Sequence, residues 1–224
     1  MVYCLQSKGR PLDELYKQAK EAGLEREIID AKDDEGDKPL HIACEFGNSE
    51  VVEWILSRQE ELKVNVNEVD SNASSPLFLA CLKGYVGAEG VGSKTEGVKV
   101  KRLEIVKMLV EKGADLNYQR EVVGLTPLHW AAYNDDADLC RYLLSKGARQ
   151  IESSAASMPV DIAGFTGNKG VIKVFMEHAA SKIEEKMGTH GPGAGDINLE
   201  ASVKKVVFDE LEYLNKLSKS DKTG

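Results

Sequence analysis

A proline-led block occurs four times along the chain, and any fold must accommodate all four copies. The first, Lys38-Pro39-Leu40-His41-Ile42-Ala43-Cys44, is followed by Gly47. The second is Ser75-Pro76-Leu77-Phe78-Leu79-Ala80-Cys81, followed by Gly84. The third is Thr126-Pro127-Leu128-His129-Trp130-Ala131-Ala132, with Asp135 at the glycine position. The fourth, Met158-Pro159-Val160-Asp161-Ile162-Ala163-Gly164, is followed by Gly167. The prolines stand 37, 51 and 32 residues apart, which fits a base period of about 33. A second block trails each of the first. Its apolar pairs are Val51-Val52 with Ile55-Leu56, Ile105-Val106 with Leu109-Val110, Leu139-Cys140 with Leu143-Leu144, and Val171-Ile172 with Phe175-Met176. Pairs at i, i+1, i+4 and i+5 form one face of a helix.

The physics of one unit follows from these residue types. Proline in the first helical turn sacrifices no hydrogen bond and presets φ. Ala43, Ala80, Ala131 and Ala163 let two helices approach closely. Gly47, Gly84 and Gly167 permit a left-handed turn between the helices. At Asp135 that turn is either strained or supplied by Asn134. A helix pair of this size buries too little surface to fold alone, so neighbours must stack.

The blocks resemble ankyrin repeats. Thr126-Pro127-Leu128-His129-Trp130-Ala131 matches the family's T-P-L-H-x-A signature in full, and Pro39-Leu40-His41-Ile42-Ala43 lacks only the threonine. Gly113-Ala114-Asp115-Leu116-Asn117 resembles the family's inter-repeat turn, and the likeness extends over residues 12–180. It implies an all-α solenoid of stacked helix-turn-helix units joined by hairpin-like loops. It also implies that His41 and His129 tie adjacent loops by hydrogen bonds. Phe78 and Asp161 replace that histidine in the second and fourth copies.

The expected domain is 1–187, with repeats over 33–69, 70–120, 121–152 and 153–180. The second carries a 17-residue insertion, Tyr85 to Lys101, between its helices. An exposed apolar face at each end needs a cap. Residues 11–32 read as an N-terminal capping helix pair broken at Gly23, with Leu15, Tyr16, Ala19, Leu24, Ile28 and Ile29 facing inward. Residues 188–196 read as a Gly-rich linker and 197–217 as a C-terminal amphipathic helix carrying Leu199, Val203, Val206, Val207, Leu211, Leu214 and Leu217. That helix either covers the last repeat or docks on a partner. Residues 218–224 read as a disordered tail.

Charge and composition exclude several function classes. The chain of 224 residues has a formal charge of −8, which argues against general nucleic-acid or anionic-membrane binding. With 42% hydrophobic and 29% charged residues it is of ordinary globular type. No apolar run approaches the length of a membrane span. Residues 1–10 lack the apolar core of a secretory signal. Cys4, Cys44, Cys81 and Cys140 are scattered without metal-like pairing, which predicts a reduced, cytoplasmic protein.

No catalytic constellation emerges, and no cofactor or metal site is expected. Gly87-Ala88-Glu89-Gly90-Val91-Gly92-Ser93-Lys94-Thr95 comes within one residue of a phosphate loop, but Ser93 intervenes before the lysine and a helix precedes it. Cys44 and Cys81 share a register slot in adjacent repeats; buried hydrophobe is favoured over redox pair.

By the resemblance, partners dock on a concave face lined by turn tips and first helices. The register places Asp34, Glu35, Asp37, Glu45 and Phe46 there in the first repeat, and Leu82 and Lys83 in the second. Val122, Val123, Leu125, Tyr133 and Asn134 follow in the third, and Phe165 and Thr166 in the fourth. Phe46, Leu82, Tyr133 and Phe165 end the four first helices and would form an apolar column, unless some pack against the neighbouring repeat. The acidic first-repeat edge would steer a partner with a basic segment. The expectation is a non-catalytic protein–protein interaction module: a scaffold, adaptor or stoichiometric regulator. The alternative is a regulatory or targeting arm of a larger enzyme or channel. Nucleotide binding through the insertion ranks last.

Overall fold

The computed structural model describes residues 17, 18, 20–82 and 96–188. Among them there is no strand; residues 17, 18, 20 and 21 are helical, and ten helices follow them. In order these are α1 (Glu25–Asp30), α2 (Pro39–Glu45), α3 (Ser49–Ser57), α4 (Gln59–Leu62) and α5 (Pro76–Leu82). Then come α6 (Glu96–Glu111), α7 (Pro127–Tyr133), α8 (Ala137–Ser145), α9 (Pro159–Phe165) and α10 (Lys169–Gly188). All four proline-led blocks are helices of 7 residues with proline first. Lys38, Thr126 and Met158 precede them in extended backbone, as the residue before proline must.

Two rows of helices build the body. First helices stack α2 on α5, α5 on α7 and α7 on α9. Second helices stack α3 on α6, α6 on α8 and α8 on α10. Within each unit the pairs α2–α3, α5–α6, α7–α8 and α9–α10 pack together. The seam contains the repeated small residues: Ala43 is 1% exposed, and Ala80, Ala131 and Ala163 are 0%. Leu77, Ile105, Leu109, Leu128, Leu139, Leu143 and Phe175 fill the space between rows. Each such side chain contributes about 1.5–3 kcal/mol through removal from water. The core runs through all four units, so each helix pair is stabilised by its neighbours.

Polar bridges link successive units at the outer loops. The Asn67 side chain donates to the Gly113 carbonyl at 3.0 Å and accepts from the Asp115 amide at 2.8 Å. One unit later, Asn117 accepts from the Arg149 amide at 2.8 Å.

The structure decides between some expectations and corrects others. Asp135 itself takes the left-handed conformation, at φ 54°, whereas Asn134 stays at φ −77°. Residues 96–101 of the insertion are helical and lengthen α6 to 16 residues, against 9 in α3 and α8. Helix α10 runs 20 residues to Gly188, past the expected repeat boundary. Ile29 is buried and Ile28 half-buried as expected, but Leu24 is 42% exposed, because Gly23 at φ 67° turns the chain just before it. Leu15, Tyr16, Ala19, Lys83, residues 85–95, the segment 189–196, the C-terminal helix 197–217 and the tail lie outside the described residues.

Candidate functional site

The face that presents the first-helix ends and the hairpin tips is held by the buried histidines. The His41 Nδ1 accepts from the Lys38 amide at 3.2 Å, so its Nε2 carries the proton and donates to the Glu68 carbonyl at 2.9 Å. His129 repeats the arrangement, accepting from the Thr126 amide at 2.9 Å and reaching the Ser157 carbonyl at 3.1 Å. Each ring thus closes its own helix cap and ties it to the next hairpin. Burial pushes both imidazoles below their usual range, which keeps them neutral, as Nδ1 must be to accept.

Where Phe78 replaces histidine, that tie cannot form. The third hairpin reaches back instead. Arg120 lies over the Phe78 ring, 5.6 Å from its centroid, and donates from Nε to the Asn72 carbonyl at 2.9 Å. Tyr118 donates its hydroxyl to the Ala73 carbonyl at 2.9 Å. Neither residue stands out in sequence, because both act on a hairpin some 45 residues away. Asp161, the fourth replacement, accepts from the Met158 amide at 2.7 Å and so caps its own helix.

The hairpins are built on similar turns. The Asp33 and Asp37 backbones pair, as do Asp70 with Ser74 and Ser153 with Ser157. The third turn is one residue longer, closing from Arg120 to Leu125. The extra residue produces a γ-turn: the Val123 amide donates to the Glu121 carbonyl at 2.9 Å across Val122, which sits at φ 73°. A β-branched residue in that conformation is strained. Val122 is 93% exposed, so packing does not compensate. Neighbouring hairpins meet backbone to backbone, Ser71 amide to Glu35 carbonyl at 3.2 Å and Ser154 amide to Val123 carbonyl at 3.1 Å.

The apolar column is largely on this surface. Phe46 is 40% exposed, Tyr133 54% and Phe165 79%. Leu82 is half-buried against the core. Trp130 lies behind Tyr133, edge-on at 5.6 Å, and Phe78 lies behind Trp130 at 6.3 Å. This chain of rings runs from the core to the surface. The buried Trp130 Nε1 has no acceptor among the described residues. Val123 is 41% exposed and Leu125 half-buried. Asp34, Glu35 and Thr166 are exposed and Glu45 half-buried.

Two expected contact residues are turned inward. Asp37 is only 6% exposed, because its side chain is covered where the first hairpin meets the second, against Asp70. Asn134 gives its amide to the Cys81 carbonyl at 2.9 Å and the Leu82 carbonyl at 3.4 Å.

The cysteines among the described residues lie in the core. Cys44, Cys81 and Cys140 are buried free thiols, and burial pushes Cys81 up to about 12. Among the described residues no cluster of His, Cys, Asp and Glu could hold a metal ion, and no helix is long and apolar enough to cross a membrane. A small pocket of about 30 Å³ lies beside Lys38, His41 and Glu68.

Comparison with known proteins decides the family. A model of ankyrin repeats, in three copies, matches residues 7–89 and 97–186. The chain is an ankyrin-repeat protein. It is 29% identical over 170 residues to the chicken (Gallus gallus) nuclear factor NF-kappa-B p105 subunit, covering 65% of this chain and 17% of that protein. It is 31% identical over 124 residues to the E3 ubiquitin-protein ligase KEG of Arabidopsis thaliana, covering 55% of this chain and 6% of the ligase. It is 28% identical over 162 residues to the human (Homo sapiens) transient receptor potential cation channel subfamily A member 1, covering 70% of this chain and 12% of the channel. The chain therefore spans less than a fifth of the length of each of these relatives. Ankyrin repeats bind other proteins.

Proposed function

We propose that this ankyrin-repeat chain is a non-catalytic protein–protein interaction module that binds its partner on the hairpin and first-helix face. The observation that supports this is the exposed row of Phe46, Tyr133 and Phe165 beside the projecting Val122. Such side chains lose free energy in water and recover it only when a partner covers them. Aromatic residues set on short, rigid helices lose little conformational entropy on binding, which suits them as anchors. The contact surface comprises Asp34, Glu35, Glu45, Phe46, Leu82, Val122, Val123, Leu125, Tyr133, Phe165 and Thr166, with Lys83 added from the sequence register. The partner is a protein with a basic segment, and the three free buried thiols fit a reducing, cytoplasmic setting.

The experiment is capture of binding proteins from native lysate by the wild-type chain and by a Phe46→Ala, Tyr133→Ala, Phe165→Ala triple variant. The same partner should be lost by the variant while its helicity and melting temperature stay unchanged. Equal capture by both would reject this surface.

A second reading is favoured by the short coverage of the relatives. In it the module is the regulatory or targeting arm of a longer polypeptide, as the ligase and channel likenesses suggest. A transcript encoding a catalytic or channel domain in frame with this chain would decide for it.

A further inference from the structure

The seam between the second and third repeats differs from the seams on either side of it. In the row of second helices, α3 packs extensively on α6 and α8 on α10, whereas α6 and α8 make far less contact. Backbone bonds join the first hairpin to the second, through Ser71 and Glu35, and the third to the fourth, through Ser154 and Val123. Among the described residues no backbone bond joins the second hairpin to the third; the bonds there run through the side chains of Asn67, Tyr118 and Arg120. At the same seam Phe78 stands where His41 and His129 tie their neighbours. Charge also replaces neutral residues at one slot. Asn48, Arg102, Asp136 and Asn168 each stand three residues before a buried aliphatic side chain, Val51, Ile105, Leu139 and Val171. Asn48 and Asp136 cap their helices, accepting from the Val51 amide at 3.2 Å and the Leu139 amide at 3.1 Å. Helix α6 starts earlier, at Glu96, so Arg102 lies inside it and reaches across the seam to Asp136 at 3.6 Å. Arg102 is 3% exposed and Asp136 1%. Among the described residues no other ion pair has both side chains buried. Both charges act on the Cys81 thiol, and Asp136 acts on Cys140, so these two thiols lie beside the pair. Cys44 holds the Cys81 slot one repeat earlier.

Parting two apolar surfaces loses the whole free energy of their burial. Parting two surfaces around a buried ion pair rehydrates both charges, and that gain offsets much of the lost attraction. A stack of repeats held by nearest-neighbour contacts opens where one contact is weakest. We propose that the second seam is a hinge: the chain opens there into two halves of two repeats each, α6 parting from α8 while α5 stays on α7. The first-helix row is the axis because its contacts are kept. The Phe78 and Trp130 rings meet across it at 6.3 Å, and Asn134 bridges it as Asn168 bridges the next seam. Parting on the second-helix side bends the halves toward each other on the first-helix side, which carries Phe46 toward Phe165. It uncovers Cys81 and Cys140 and leaves Cys44 covered. The hinge is a property of the chain alone and goes beyond the interaction-module reading.

The three buried thiols are the probes, and the test is native-state labelling of the full chain with N-ethylmaleimide, carrying Cys4→Ser so that Cys4 does not contribute. Burial pushes all three thiols up in the closed form, so each reacts only when it is uncovered. Mass spectrometry of the digested chain gives a rate for each cysteine. Cys81 and Cys140 should react together, about tenfold or more ahead of Cys44. Their rates should respond weakly to low urea, since opening one seam exposes little surface, while Cys44 follows the full slope of unfolding. Arg102→Met with Asp136→Asn removes both charges and restores at position 136 the residue of the first and fourth repeats. Labelling of Cys81 and Cys140 should then slow about tenfold, with Cys44 unchanged. Arg102→Met alone leaves the Asp136 charge buried without this arginine and should speed the same two sites. Equal rates at all three thiols, Cys44 reacting first, or a full unfolding slope at Cys81 and Cys140 would each overturn the hinge. So would a folded double variant that labels as fast as the wild type. The order of rates in the wild-type residues decides the matter whether or not the double variant folds, and none of these readings depends on partner capture.

Discussion

The side-chain amide of Asn134 donates to the Cys81 carbonyl at 2.9 Å, across the seam between the second and third repeats. One repeat later, Asn168 donates to the Ala132 carbonyl at 2.8 Å, and Ala132 occupies the same slot as Cys81. The two donors come from different positions. Asn168 stands where the third repeat has Asp136, an acceptor-only side chain that caps α8 through the Leu139 amide at 3.1 Å and lies 3.6 Å from Arg102. Asn134, two residues earlier, takes over the donor role. Removing it leaves helix-end carbonyls without a partner, so Asn134→Ala should lower unfolding free energy by about 1–3 kcal/mol. Chemical denaturation would show this, and Asn134→Asp should be at least as damaging.

Contact between hairpins depends on one glycine more than on its turn conformation. A Cβ at Gly124, φ 64°, would lie 2.7 Å from the Ser154 amide nitrogen, which bonds to Val123. A Cβ at Gly147, φ 97°, would meet nothing within 4 Å. Gly147→Ala should therefore lose only about 1 kcal/mol, the conformational part. Gly124→Ala should lose about 1–3 kcal/mol more. Equal melting temperatures for the two variants would contradict this account.

Strain and exposure coincide at Val122. Glycine adopts its positive φ without penalty, and releasing about 1–3 kcal/mol of strain outweighs the added freedom of the unfolded chain. Val122→Gly should match or exceed the wild type in thermal stability while capturing partner more weakly. A destabilised variant would mean that the γ-turn is not strained.

Acid should weaken the histidine ties. His41 and His129 titrate below their unfolded value, so the folded chain binds fewer protons than the unfolded one. Their contribution is complete above about pH 6.5 and is lost as pH falls through the folded values. Asp37 acts in the opposite sense. Its raised value means stability declines as pH rises from the ordinary carboxylate range toward about 7. Unfolding measured against pH in the Asp37→Asn background should isolate the histidine loss, and His129→Gln should shrink it. A wild-type-like profile in both variants would contradict the assignments.

Much of the fold was legible because it rests on local spacing. Pro39, Pro76, Pro127 and Pro159 mark helix starts, and Val51, Val52, Ile55 and Leu56 mark a buried face wherever the segment lies. The histidine ties were legible through the resemblance alone. The exposures of Phe46, Tyr133 and Phe165 agree with the register, since helix phase places a terminal residue on the side opposite the buried one.

Asp37, Asn134 and Arg120 show what spacing does not carry. By pattern the first two belong to an exposed row, and the third does not stand out. Their surroundings depend on how near one hairpin lies to the next, on a third turn that is one residue longer, and on a ring where another repeat has an imidazole. The sequence by itself determined the repeated helix pair and its continuous core, because hydrophobic period and turn chemistry act within a few residues. Only the tertiary structure decided which polar groups meet between repeats, because burial and partner distance arise when units some 30 to 50 residues apart are stacked.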